Sequence, residues 1–522
     1  MRIIERYMVE IGINNYLKIY FWRVLSMISG FMSLVVVIPH LSTQQDLYGI
    51  YVFCISFALY LMYSDIGFLS AGQKFAAEEL SKNNQRGEIG ITGFTIFLLV
   101  LFFLPFSAFM MYLSIDPEVV LNELNSQSKA IASELFLIIG VLLPIQVILQ
   151  RLVDFVLVIR LMDYISLKIN LFLNVIKILS VFYFFKDGNY LLTEYYLFIT
   201  ILSIVGSIIS IALIRKLIDY DFRLLFKSLK LSQKYYQKSK KLAFSSFALT
   251  LSFIVYRELD LIIIGTWFGV QEVAIYAIGF TFINFVRNLW NILYSPFSHR
   301  LNHFHGQGLT ERIEVMLSKI FEYTLPLYVV LVTTLVLGAE YLVVYWVGED
   351  YYSSIRIFQI LIISTAFGVV TMPASYYYNS CLKYKYINFL AVILPLTFYL
   401  VASLTSSSLG VESIAVAKVA VGVVSALVAI KGISGVFSIS GIIKKSALQI
   451  ITFLIMADYF LPKIIRLVFI APHKNTEYLV TYLVFLSIVV IISYFLIILS
   501  NKERRYEVKK AIVSYYKKQL VL

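Results

Sequence analysis

The sequence predicts an all-α integral membrane protein of about fourteen transmembrane helices. Three observations predict it. First, 60% of the 522 residues are hydrophobic and only 14% are charged, with a mean hydropathy of +0.83. Soluble domains run about 45–50% apolar and about 25% charged, and a water-facing surface needs more polar cover than this chain supplies. Second, stretches of roughly 20 largely apolar residues, the length that crosses a bilayer as a helix, recur along the whole chain. Barrel strands of about ten alternating residues do not fit such continuous runs. Third, Lys and Arg gather in alternate connecting segments, as positive charge does on the cytoplasmic side of a membrane.

Arg2 and Arg6 precede an apolar run over 16–40. That run is too long for a signal-peptide core and no small-residue cleavage pattern follows, so it reads as an uncleaved first helix. Runs over 48–70, 91–114, 132–158, 167–186 and 194–214 complete a first set of six. The polar stretch from Arg215 to Lys241 then carries nine basic residues against two acids, Asp219 and Asp221. It reads as a cytoplasmic linker, solvated and in touch with anionic lipid. A second set follows over 242–265, 273–296, 319–347, 355–380, 387–405 and 412–430. The last two runs are 446–461, which is short for a crossing, and 477–499. The organisation is therefore a six-helix bundle over 1–214, a linker over 215–241, a second six-helix bundle over 242–437, an extra helix pair over 438–499 and a basic tail over 500–522.

With the N-terminus in the cytoplasm, the predicted cytoplasmic segments hold 32 of the 44 basic residues and the external loops hold 4. Both termini are then cytoplasmic. One loop breaks the pattern, because Lys463, Arg466 and Lys474 fall outside. The net charge of +13 belongs to these loops and does not point to nucleic acid. A short repeat supports the two halves: Gln45 to Tyr51 aligns with Gln271 to Ala277, and transporters are often built from such repeats with the substrate site where they meet.

Other chemistry is scarce. Cys54 and Cys381 stand far apart and offer no disulfide framework. His299, His303 and His305 cluster in SHRLNHFHG but lack the further ligand a zinc site wants, and read as a hydrated helix end. Tyr351, Tyr352 and Tyr376 to Tyr378 suit an interfacial aromatic belt. No Gly-rich phosphate loop with Lys occurs, so ATP hydrolysis is not expected. The external loops are short and leave no room for a soluble catalytic domain, so the chain is read as a non-enzyme without a cofactor.

The residues that stand out are charges inside apolar runs, since a charge near the bilayer centre needs a partner or a wet cavity. The basic ones are Arg23, Arg151, Lys177, Arg257, Arg287 and Lys418; the acids are Asp65, Asp154, Glu258 and Asp260. Residues three or four apart on a helix face one another, so Arg151 can meet Asp154, and Arg257 can meet Asp260. Arg23, Lys177 and Arg287 have no acid at that spacing. Each must meet an acid on another helix, snorkel, or face a cavity that receives an anion. Snorkelling suits Arg23, about a third of the way into its run, better than the mid-run Lys177 and Arg287.

The segment from Tyr48 to Leu80, YGIYVFCISFALYLMYSDIGFLSAGQKFAAEEL, resembles the second helix and following loop of bacterial polysaccharide and O-antigen flippases. The segment from Asp260 to Phe285, DLIIIGTWFGVQEVAIYAIGFTFINF, is similar to the corresponding stretch of their second half. Both look like the multidrug/oligosaccharidyl-lipid/polysaccharide exporter superfamily, most clearly over residues 15–300. The resemblance implies two six-helix bundles facing a central cavity that opens alternately to either side. The implied substrate is a polyprenyl-pyrophosphate-linked oligosaccharide, moved across the bacterial cytoplasmic membrane for O-antigen, capsule or exopolysaccharide synthesis. Membrane lipid and polysaccharide polymerase machinery are the implied partners. On this reading Arg23, Lys177, Arg257 and Arg287 contact the substrate. Arg257 and Arg287 lie at depths that differ by about 8 Å at 1.5 Å per residue, within reach of one pyrophosphate if both face the cavity. Asp65, Glu258 and Asp260 are the candidates for coupling to H⁺ or Na⁺. A lipid II flippase shares the same plan. A cation-coupled drug exporter would instead want an acidic cavity, and a membrane polymerase or glycosyltransferase would want a large external loop or an acidic catalytic motif.

Overall fold

The computed structural model describes residues 2–63, 67–121, 124–160, 162–186, 190–240, 254–256, 258–381, 383–434, 439–469, 473–501 and 504–506. Among these residues all regular structure is helical. In hydrocarbon only structures that satisfy every backbone group internally survive, and the helix does so within one segment. Eleven helices are long and apolar enough to cross a membrane. A twelfth crossing is the pair Ser354–Thr365 and Gly368–Ser380, bent by 43°. Twelve of the fourteen predicted runs are thus matched. The other two, 48–70 and 242–265, include residues 64–66, 242–253 and 257, which lie outside the described ones.

The chain divides into two compact units, Met1–Ala274 and Ile275–Leu522. In the first, α1 (Arg2–Leu41) packs on α6 (Tyr164–Phe184), while α5 (Ser126–Val158) packs on α2 (Gln45–Tyr63), α4 (Gln85–Ile115) and α7 (Leu192–Ile218). α1 and α6 run in the same direction. Arg23 meets Asp163 at one end of the pair, and the His40 and Phe182 rings meet edge to face, 5.3 Å apart, at the other.

A buried ion pair closes the ends of α4 and α5. Arg160 donates through both terminal nitrogens to Glu88, at 3.2 and 2.7 Å. The Glu88 side chain is 0% exposed. The Tyr220 ring, just beyond α7, lies 5.3 Å from the same guanidinium. Burial, and next the Glu88 carboxylate, push the Tyr220 hydroxyl above the usual phenol range.

The basic linker is two-sided rather than uniformly solvated. After α8 (Phe222–Lys227), residues 233–240 form a further helix, α9. Its Tyr235 and Tyr236 pack against Phe68 of α3 (Phe68–Ser81) and Phe94 of α4. Lys238 sits 4.8 Å over the Phe75 ring and 3.2 Å from a Glu79 oxygen. A hydrogen bond from Asn84, followed by the one from Lys238, holds the Glu79 carboxyl below its usual range. Arg215, Lys216, Arg223, Lys227, Lys230 and Lys234 remain exposed on the other side.

The second unit holds α12 (Thr310–Leu337), α13 (Ala339–Val347), α14 (Ser354–Thr365), α15 (Gly368–Ser380), α16 (Tyr384–Leu409) and α17 (Glu412–Ile433). The predicted run 319–347 is broken at Gly338. The C-terminal pair, α18 (Ile439–Val468) and α19 (Thr476–Ser500), packs on α12, with α19 also on α13. Tyr482 donates to the Gly338 carbonyl at 3.1 Å, and the Asn475 amide donates to the Tyr345 carbonyl at 3.0 Å. Arg504, only 2% exposed, meets Glu322 at 3.0 Å. The run that looked short at 446–461 has an apolar span over Ala447–Val468, 22 residues long, enough for about 33 Å of helix. Lys463, placed in an external loop by the sequence, lies within that helix with its ammonium 3.4 Å over the Tyr459 ring. Its stem can follow the apolar surface to the interface.

Charge placement and exposed side chains together predict a labelling pattern. Asn84 and Asn125 cap α4 and α5 by accepting from Gly87 and Ser128, so cysteine there removes a cap worth about 1 kcal/mol. Gln85 and Gln127, exposed and adjacent in sequence to those loops, are cleaner probes, as are Gln233 and Gln307. In intact cells an impermeant thiol reagent is expected to label a cysteine at 127 and to spare those at 85, 233 and 307. Labelling at 233 from outside would overturn the topology.

Candidate functional site

In the first unit the lone-looking Arg23 has a partner. Its Nη2 donates to Asp163 Oδ2 at 2.8 Å, while 60% of the arginine side chain stays exposed. The apolar span of α1 begins at Phe21, so Arg23 enters only two residues inside it. That places it level with the turn before α6, where Asp163 stands. Asp154, half-buried on α5, lies in electrostatic reach of Arg151 and of Asp163. The i, i+3 pair thus belongs to a four-member charge cluster where the middle of α1 meets the end of α5 and the start of α6.

Lys177 takes a different solution. Half-buried on α6, it donates to Ser203 Oγ of α7 at 2.9 Å, and that hydroxyl donates onward to the Ile199 carbonyl. The lysine therefore points into the α6–α7 contact inside the first unit.

Of the candidate coupling acids, Glu258 is half-buried, and Asp260 is fully buried in the first turn of α10 (Asp260–Trp267). A helix N-terminus favours a carboxylate. Tyr60 of α2 lies in electrostatic reach of both acids. Asp65 and Arg257 fall outside the described residues.

The repeat detected in the sequence is a contact in the fold. The segments 45–51 and 271–277 open α2 and α11 (Val270–Gly306) respectively. There the backbones touch: a Cβ on Gly49 would lie 1.9 Å from the Val270 carbonyl oxygen. Gly265 of α10 is likewise pressed on the Phe53 ring of α2, at 2.3 Å from an ideal Cβ. Small residues let membrane helices approach this closely. This contact also explains why α10 and the first residues of α11 fall in the first compact unit.

In the second unit Arg287 is half-buried on α11. Its Nη1 is 3.5 Å from Asn284 Oδ1, and its guanidinium is 5.8 Å from the centre of the Phe280 ring. The same ring is approached by Lys418 of α17, whose ammonium is 5.8 Å from it and 5.3 Å from the Phe398 ring of α16. Lys418 is 5% exposed. The sequence marked Lys418 as a charge inside a run and assigned it no role. Its aromatic neighbours come from two other helices, so helical spacing could not have found them.

No family model matches the sequence, and no curated protein matches it. Solved structures do. The lipid II flippase MurJ in its inward closed conformation aligns with a TM-score of 0.68 at 15% identity, covering 93% of this chain and 98% of that one. A multidrug resistance MATE family transporter of the MOP superfamily, inward-facing, aligns with a TM-score of 0.60 at 12% identity, covering 81% of this chain and 95% of that one. An outward-facing MATE structure of the same superfamily aligns with a TM-score of 0.50 at 12% identity, covering 80% of this chain. The chain is a multi-pass membrane protein that has the fold of these flippases and exporters.

Proposed function

We propose that this chain is a flippase for polyprenyl-pyrophosphate-linked oligosaccharide units in the bacterial cytoplasmic membrane, feeding O-antigen, capsule or exopolysaccharide synthesis. The observation that carries the reading over drug export is coverage: the lipid II flippase matches 93% of the chain, whereas the drug transporters match 80–83%. The basic side chains within the helices add to it. Arg287 and Lys418 suit an anionic headgroup, and guanidinium presents a planar fork that matches phosphate oxygens and stays charged at any working pH. Transport proceeds by alternating access, with the polyprenyl tail left in lipid and polymerase machinery receiving the product. Asp260 and Glu258, together with Asp65, supply carboxylates for H⁺ or Na⁺ coupling. Arg257 joins the substrate set, whereas Arg23 and Lys177 contribute after leaving Asp163 and Ser203.

The structural match to MurJ favours one second reading, lipid II as the substrate. Two strains separate the readings. The gene is expected to restore surface polysaccharide in a strain lacking its O-antigen or capsule flippase, and to fail to rescue growth in a strain depleted of its lipid II flippase. Growth rescue without surface polysaccharide would replace the first reading with the second. Rescue of neither, with extrusion of a cationic dye, would point to drug export.

A further inference from the structure

We propose that the outward side of α8 and α9 is an anchoring surface for anionic phospholipid, with Phe226 and Leu231 entering the acyl boundary and the cations around them holding headgroup phosphates. Charge alone suggests that the linker touches lipid; the fold adds an apolar pair and a depth. From Phe222 to Lys240 the chain carries six basic residues and no acid. Four of the six, Arg223, Lys227, Lys230 and Lys234, stand exposed on the side away from α3 and α4. Asp221, just before the stretch, is turned back to cap α8 and accepts from the Leu224 amide at 2.9 Å. Among these cations Phe226 is 69% exposed and Leu231 is 62% exposed. Large apolar side chains set among Lys and Arg are the composition of a segment that lies in a membrane interface.

The depth follows from α4. Its 31 residues span about 46 Å at 1.5 Å per residue, against roughly 30 Å of hydrocarbon. A helix centred in the bilayer then leaves about 8 Å at each end, so the boundary falls near Gly90, five residues after Gln85. The linker is seated at this level. An ideal Cβ on Gly90 would lie 2.5 Å from the Tyr235 hydroxyl oxygen, and one on Gly93 would lie 2.6 Å from Ser228 Cβ. Leu225 is buried beside them. With one side fixed on α4 at the headgroup–acyl boundary, the other side presents Phe226 and Leu231 where an interfacial segment buries its apolar groups. Lysine stems can follow that apolar surface while their ammonium groups stay among the phosphates. Each such cation adds to the attraction of an anionic leaflet.

The test uses the full-length protein in detergent, titrated with phosphatidylglycerol and read by native mass spectrometry. Wild type is expected to retain phosphatidylglycerol and to release phosphatidylcholine of the same chain length. R223Q/K227Q/K230Q/K234Q is expected to weaken retention about tenfold or more. F226S/L231S keeps every charge and is expected to weaken it about tenfold, an effect that a purely electrostatic contact would not show. A second readout follows insertion, with an environment-sensitive fluorophore on L231C in a C381S background, Cys54 being buried. In nanodiscs containing phosphatidylglycerol, a lipid carrying a quencher high on its acyl chain is expected to quench this fluorophore and to spare one on Q85C. Should either multiple variant melt below wild type, the salt dependence of wild-type retention replaces it, and retention indifferent to salt overturns the surface. Unchanged retention in F226S/L231S, or no quenching at 231, overturns the entry of the apolar pair. Displacement of phosphatidylglycerol by farnesyl pyrophosphate, or by inorganic pyrophosphate, gives this side to a different anion and overturns the lipid assignment. None of these outcomes bears on which substrate is transported, so the flippase reading stands or falls separately.

Discussion

An Arg287→Ala protein that reaches the membrane at normal abundance is expected to export at most about a tenth of the wild-type surface polysaccharide. Removing a charge-assisted hydrogen bond costs about 1.5–3 kcal/mol, which is ten-fold or more in occupancy. Arg287 approaches Asn284 at 3.5 Å and lies over the face of Phe280. Arg23, by contrast, is engaged by Asp163 at 2.8 Å. Arg287→Lys keeps the charge and loses the bidentate fork, so partial recovery is expected. The measurement is surface polysaccharide in a deletion strain complemented with each variant, normalised to membrane protein. Full export by Arg287→Ala would remove the anion-binding role.

The second large effect is on stability. Glu88→Ala is expected to destabilise the protein by about 3–5 kcal/mol, because it strands the Arg160 guanidinium at a site where that side chain is only 10% exposed. The loss should appear as a fall in the melting temperature of the purified protein. The double replacement Glu88→Leu with Arg160→Met should recover most of the loss, since exchanging a buried ion pair for apolar groups of similar volume is often neutral. A melting temperature unchanged by Glu88→Ala would mean that water reaches the pair. The position of this bridge gives it a second consequence. It joins the first turn of α4 to the residues after α5 and touches Tyr220 at the start of the linker. Its loss should therefore also expose the linker to protease.

Much of the architecture was legible in the residues because the bilayer imposes a simple rule. A helix must be long and apolar enough to cross, and eleven of the described helices meet that test. The run at 446–461 looked short for a crossing, with Lys463 and Arg466 just beyond it. The helix carries them onward, and Lys463 rests on Tyr459 one turn earlier. That is local chemistry which a hydropathy window scores as a break. The breaks at Gly338 and between Thr365 and Gly368 went unseen for the opposite reason. Average hydropathy stays high across a bend.

The charges divide along the same line. By itself the sequence determined that this is a polytopic helical membrane protein, that its positive charge collects in alternate loops, and that a small set of charges sits inside apolar runs. Those properties follow from composition and from spacing along one helix. Only the tertiary structure decided what each charge does. Arg23 is bound to Asp163, 140 positions away, Lys177 to Ser203 on the next helix, and Lys418 meets Phe280 beside Arg287. Helical periodicity reports neighbours three and four residues apart, whereas the energy of a buried charge depends on whatever group the packing brings within a few ångströms.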